Sequence, residues 1–236
     1  MVLHEATLFL DLDGTLFELV DNPEDVRADH RTQALIGQLL QHMDGRVAVV
    51  SGRSLAQIDD MLGDAAGTLW ISGSHGCEYR WDGVIQSPSR PAALDDVAAS
   101  FRNFAQNQPG VLVEEKSLGV ALHYRTAPEA GASALALAQE MAGLHDLYLQ
   151  HGKSMVELRA GSENKGSAIL TMMAHPGLAG TTPVFAGDDV TDEPGFEAVL
   201  ELGGHAILVG EPRPTLATFR LRSPEELREW LWRATV

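Results

Sequence analysis

The 236-residue chain has a single cysteine, Cys77, so it can form neither an intramolecular disulfide nor a thiolate zinc site. Basic residues are scarce: 17 Lys and Arg stand against 33 Asp and Glu, a formal net charge of -16. That balance opposes binding to nucleic acid or to an anionic membrane surface. No apolar stretch approaches the roughly 20 residues that cross a bilayer. The opening Met1-Val2-Leu3-His4-Glu5 has neither a basic region nor a signal-length apolar segment, so export is not expected and a cytoplasmic location is. A Gly-x-Gly-x-x-Gly fingerprint is missing after the first apolar run, which disfavours a dinucleotide fold.

What is present is a 44% hydrophobic content, enough for a substantial core in one large domain or two unequal ones. Apolar runs at 6–10, 46–50, 69–72, 183–187 and 206–209 alternate with helical spacing at 32–40, 55–62, 165–174, 192–201 and 224–231. Pro23 interrupts any earlier helix. This alternation predicts right-handed βαβ units around a parallel central sheet, an α/β core. The rhythm changes after about residue 86. Helices at 92–107 and 128–143 and strands at 111–116, 119–125, 146–150 and 154–159 predict a small mixed sheet with helices on one face. We therefore expect a core from 1–90 and 161–236, interrupted by an inserted α/β domain at 91–160.

Two acidic clusters follow apolar strands: Asp11-Leu12-Asp13-Gly14-Thr15, and Gly187-Asp188-Asp189-Val190-Thr191-Asp192-Glu193. Strand ends are where open α/β sheets place ligands, and converging carboxylates call for a cation between them. All-oxygen donors suit Mg2+, with Asp11 and Asp188 as ligands, a backbone carbonyl as another, and Asp189 and Asp192 acting through water. Asp11 can attack phosphorus; Asp13 can protonate the leaving oxygen and then activate water, with Thr15 orienting it. Metal-assisted chemistry on a phosphate ester fits this set. Blander readings stand beside it. Asp-Gly turns are common, Ser51 reads equally as a helix N-cap, Arg53 as a surface ion pair and Lys165 as a solvated residue. Asp192 and Glu193 also suit an ordinary helix start.

The motifs Asp11-Leu12-Asp13-Gly14-Thr15, Ser51-Gly52-Arg53, His75-Gly76-Cys77-Glu78, His123-Tyr124-Arg125, Val156-Glu157-Leu158-Arg159, Lys165-Gly166 and Gly187-Asp188-Asp189 cover nearly the whole chain. In combination they resemble the haloacid-dehalogenase (HAD) superfamily and, within it, the trehalose-6-phosphate phosphatases. The resemblance implies a HAD-like Rossmannoid core with an inserted C2-type cap. It also implies Asp11 as nucleophile, Asp13 as general acid/base with its backbone carbonyl as a metal contact, Ser51 and Lys165 as phosphate-side groups, and Mg2+ as cofactor. A small phosphorylated disaccharide is the implied substrate, hydrolysed to trehalose and phosphate, and association with trehalose-6-phosphate synthase is left open. Lys116, Arg125 and Glu157 are the implied cap contacts, with Arg53 and His75 as further substrate-binding candidates. Taken residue by residue, the structural reading wins at each cap position: Lys116 as a charged strand edge, Arg125 as a turn residue and Glu157 as a solvent-facing strand position. Many relatives carry proline after the Glu-x-Arg/Lys segment; here Ala160-Gly161 follows. A phosphatase for another sugar phosphate and a noncatalytic sugar-phosphate sensor are the alternatives.

Overall fold

The computed structural model describes residues 5–20 and 25–235. The readings placed on Met1–His4 and on Pro23 lie outside the described residues. The chain divides into two compact units, Met1–Gln86 with Glu163–Val236, and Ser87–Ser162.

The first unit is built on an eight-stranded sheet in the order β12-β11-β10-β1-β2-β3-β4-β5. Its strands are β1 (Ala6–Leu10), β2 (Val47–Val50), β3 (Trp70–Gly73), β4 (Glu78–Trp81), β5 (Val84–Gln86), β10 (Thr182–Gly187), β11 (His205–Val209) and β12 (Phe219–Leu221). β1 lies in the middle, parallel to β10 with Leu10 opposite Ala186, and parallel to β2 with Leu10 opposite Val49. Side chains along a strand alternate between faces, and both faces of this sheet are covered. Leu8, Leu10, Val47, Val49 and Val184 pack with α1 (His30–His42), α2 (Leu55–Leu62) and α7 (Pro224–Ala234). Phe9, Ala48, Val50 and Phe185 pack on the other side with α5 (Lys165–Met173) and α6 (Glu193–Glu201). Continuous burial of β1 and β2 therefore comes from helices on both sides rather than from alternation of polar and apolar residues.

One edge departs from the expected all-parallel sheet. β3 pairs antiparallel with β4, and β4 with β5, through Trp81 opposite Val84. The two residues between them, Asp82 and Gly83, have φ of 50° and 75°. An Asp-Gly pair with positive φ at both positions is the turn whose twist matches a two-residue hairpin. That local chemistry overrides the βαβ rhythm. β12 is the other element the periodicity does not foretell.

The second unit is a four-stranded antiparallel sheet in the order β6-β7-β9-β8, formed by β6 (Leu112–Glu115), β7 (Gly119–His123), β8 (Tyr148–Gly152) and β9 (Met155–Arg159). Helices α3 (Ala93–Gln106) and α4 (Gly131–His145) bury Leu94, Phe101, Ala134 and Ala138 against Val120, Leu122, Val156 and Leu158. By alternation, Gly119, Ala121, His123, Glu157 and Arg159 lie on the opposite face, where Ala121 pairs with Glu157 and Gly119 with Arg159. Among the described residues, no helix is long and apolar enough to cross a membrane.

Candidate active site

The C-terminal ends of β1, β2 and β10 are neighbours, so the loops that follow them share one end of the sheet. β1 stops at Leu10, and Asp11 follows it with its amide donating to Ala186 O at 3.0 Å. The chain then tightens into a turn in which Leu12 O accepts from the amides of Thr15, Leu16 and Phe17. Asp11 and Asp13 are thus not on one extended strand, and strand alternation does not aim their carboxylates. Each takes a different partner. Gly14 sits at φ 82°, and a Cβ there would lie 2.2 Å from Asp188 Oδ2, so only glycine leaves room for that carboxylate.

Lys165 is the first residue of α5, whose start is fixed by Asn164 accepting from Ser167 N at 3.0 Å. A cation at a helix N-terminus opposes the helix dipole, so helix stability does not explain this lysine. It is buried at 2% exposure, with Nζ 2.8 Å from Asp11 Oδ1 and 2.6 Å from Asp192 Oδ1. Burial alone would lower its pKa; the two carboxylates outweigh that and raise it. Asp192 uses its second oxygen to accept from the amides of Asp188 and Asp189, both at 2.8 Å.

Oxygens of Asp11, Asp188 and Asp192 all lie within 4.8 Å of one another. Burial pushes Asp11 up to about 7, opposed by Lys165 and reinforced by the Asp192 and Asp13 charges. Burial, then the charges of Asp11 and Asp192, pushes Asp188 up to about 8. One lysine therefore does not neutralise the cluster. Three hard oxygen donors in an under-compensated, largely buried setting fit a metal-binding site for a divalent cation. The carboxylates of Asp13 and Asp189 are not members of this cluster.

Asp13 turns to Arg53 instead, in a two-pronged pair with Nε–Oδ2 and Nη2–Oδ1 both at 2.6 Å. Arg53 is buried, so it is not a surface ion pair. Ser51 is buried at the end of β2, and its Oγ accepts from Arg53 N at 3.2 Å. The N-cap of α2 is Ser54, three residues on, which leaves Ser51 without a capping role. Thr15 is fully buried and its Oγ1 has no hydrogen-bond partner, so the bond expected to Asp13 is not made here. His75 is buried at φ 55°, with its amide donating to Ser51 O at 3.0 Å. Ser74, before it, also has positive φ, 48°, and donates its hydroxyl to the buried Glu78 at 2.5 Å. Glu78 stood in a motif without an assigned role.

In the second unit, Lys116 Nζ lies 2.7 Å from Glu157 Oε2 and 3.9 Å from Glu114 Oε2, which in turn is 2.8 Å from His123 Nε2. A Cβ on Gly119 would lie 2.3 Å from Glu157 Oε1, so the glycine makes space for the carboxylate. Arg159 is buried beside them, donating to Gln150 Oε1 at 3.0 Å and lying 4.7 Å over the Tyr148 ring. Its place two residues after Glu157, on the same strand face, is a signal the sequence carries. Arg125 is exposed in the turn after β7.

A model of the trehalose-phosphatase family matches residues 9–225. The chain belongs to this family. It is 37% identical over 229 residues to a probable trehalose-phosphate phosphatase of Sinorhizobium fredii, covering 94% of this chain and 84% of the relative. It is 34% identical over 226 residues to the trehalose-6-phosphate phosphatase of Escherichia coli, with the same two coverages. The crystal structure of a trehalose-6-phosphate phosphatase related protein superposes with a TM-score of 0.81 at 29% identity, over 97% of this chain and 96% of that one. Family membership and topology together make the architecture HAD-like: a Rossmannoid core whose sheet is parallel with an antiparallel edge, and a separate antiparallel cap sheet.

Proposed function

We propose that the chain is a Mg2+-dependent phosphatase that hydrolyses trehalose 6-phosphate to trehalose and inorganic phosphate. The observation that carries this reading is the convergence of Asp11, Asp188, Asp192 and Lys165 at the ends of β1 and β10, in a chain of the trehalose-phosphatase family. Asp11, Asp188 and Asp192 would hold the ion, which when bound draws the phosphate towards Asp11 and offsets the charge on both.

In the first step Asp11 attacks phosphorus, the P–O bond to the sugar breaks, and Asp13 gives its proton to the leaving sugar oxygen. In the second, Asp13 takes a proton from water as that water attacks the aspartyl phosphate, releasing phosphate and freeing Asp11. Lys165 and Ser51 supply positive charge and a hydroxyl donor to the phosphoryl oxygens. Both oxygens of Asp13 accept from Arg53, which holds the carboxyl in one orientation.

The second unit, Ser87–Ser162, we assign as the cap, with the Lys116–Glu157 pair offering partners for sugar hydroxyls and Arg125 and His75 as further candidates. A phosphorylated disaccharide does not cross a bilayer unaided, which supports cytoplasmic work on an ester supplied by, and in association with, trehalose-6-phosphate synthase. The test is incubation with trehalose 6-phosphate, sucrose 6-phosphate and glucose 6-phosphate, with Mg2+ and with chelator, while free sugar and phosphate are quantified. Mg2+-dependent release with highest kcat/KM on trehalose 6-phosphate is expected. A strong preference for another ester would overturn the substrate, and binding without turnover across the panel would overturn the enzyme.

A further inference from the structure

Arg213 lies in the loop between β11 and β12, far along the chain from every acidic motif. Its guanidinium nevertheless reaches back to the loop after β10. Nε donates to Asp188 O at 3.1 Å and Nη2 to Asp189 O at 2.6 Å. Nη1 pairs with Glu193 and donates to Pro214 O at 2.9 Å. Glu193 also accepts from Leu216 N at 2.8 Å, which ties the arginine's own loop to the start of α6. The peptide groups of Asp188 and Asp189 are thereby held from both sides, with their amides on Asp192 Oδ2 and their carbonyls on Arg213. The Asp188 carboxylate has little slack, because it rests where a Cβ on Gly14 would be.

We propose that Arg213 is a positioning residue for the metal-holding acids: by clamping the Asp188 and Asp189 carbonyls, it sets the direction in which the Asp188 carboxylate meets Asp11. This rests on the Mg2+-dependent phosphatase reading above. The guanidinium is suited to the task because its rigid planar fork addresses several acceptors at once, which a lysine ammonium, a point charge on a flexible stem, does not reproduce.

Charge and geometry make opposite predictions, so the test turns on a sign. Removing a cation from beside a cluster of carboxylates strengthens the field that attracts Mg2+, so by charge alone an Arg213→Gln variant binds the ion more tightly. Loss of positioning weakens it. Mg2+ binding to the substrate-free protein is measured by isothermal titration calorimetry for wild type, Arg213→Gln and Arg213→Lys. We expect Kd to rise about 10-fold in both variants, the scale of loss when an outer partner of a metal ligand is removed. Turnover should recover at high Mg2+ with KM for the sugar phosphate unchanged. A folded Arg213→Gln protein that binds Mg2+ as tightly as wild type, or more tightly, overturns the inference. If Arg213→Gln does not fold, an unchanged affinity in Arg213→Lys overturns it. A wild type that binds no Mg2+ sinks the metal reading and this inference with it. An active, Mg2+-dependent wild type with unaltered variants sinks the inference alone.

Discussion

At the scale of single residues the site is a contest between burial and charge. Asp11 and Asp188 are carboxyls pushed up to about 7 and about 8, mainly by burial and then by their neighbours' charges. A carboxyl whose pKa is higher folded than unfolded favours the folded state while protonated, and that contribution disappears as pH rises through the folded value. For the metal-free protein the loss falls mainly in the window that ends near pH 7 to 8. Asp188→Asn removes one of the two groups and relieves the other. In chelator, its melting temperature relative to wild type should therefore improve between about pH 5 and about pH 8.5. A pH-independent difference would show that the two carboxyls do not titrate in that window. Asp11→Asn has the opposite emphasis, since it keeps the shape and removes the attacking oxygen. Its turnover should fall by about 10^3-fold or more, the loss expected of an essential nucleophile. Labelled phosphate trapped on another residue of the wild type would reassign the nucleophile.

At the scale of elements, the segment between β3 and β4 stores strain beside the site. Ser74 and His75 both adopt left-handed φ, which costs a non-glycine residue about 1 kcal/mol or more. The buried Glu78 repays part of this by accepting from Ser74 Oγ and from Leu55 N, while Ser74 N and His75 N donate to Arg53 O and Ser51 O. The strained turn and the Ser51–Arg53 loop are consequently one hydrogen-bonded piece. Glu78→Gln weakens the charged bond and should cost about 1–3 kcal/mol in urea unfolding. It should also lower kcat on trehalose 6-phosphate and on a small aryl phosphate by similar factors, because the disturbance reaches Arg53 and, through it, Asp13, which acts on both substrates. Loss on the disaccharide alone would place the role of Glu78 elsewhere.

At the scale of the molecule, each unit has a hydrophobic core of its own. Phe101 is fully buried in the second unit, between α3 and the antiparallel sheet. Phe101→Ala should destabilise that unit by about 3–5 kcal/mol, the usual result of deleting a buried aromatic ring. Since units with separate cores need not unfold together, calorimetry should show a transition displaced to lower temperature ahead of the remainder. Turnover of the small aryl phosphate should survive below the main transition better than turnover of trehalose 6-phosphate. A single transition shifted as a whole, with both activities lost together, would mean that the two cores unfold as one.

Sequence alone determined much of this protein, wherever the physics is local or periodic. Apolar runs of four or five residues between helical stretches specified β1, β2, β10 and β11, and the acids after two of those runs marked the end of the sheet where chemistry is arranged. The switch from that rhythm to a compact α/β insertion was equally legible. The Asp82-Gly83 turn was also there to be read, but βαβ alternation spoke more loudly than a two-residue signal. β12, three residues at a sheet edge, is too short to show any period. Tertiary structure alone decided which charges meet. Asp11 and Asp13 are separated by one residue, yet one faces Lys165 and the other Arg53, because β1 has ended at Leu10 and the chain winds into the turn closed on Leu12 O. Arg213 lies 24 residues beyond Asp189 and bonds to its carbonyl only because β10 and β11 are neighbours. A side chain's partners depend on where the backbone carries it in space, and no spacing along the chain encodes a distance across the sheet.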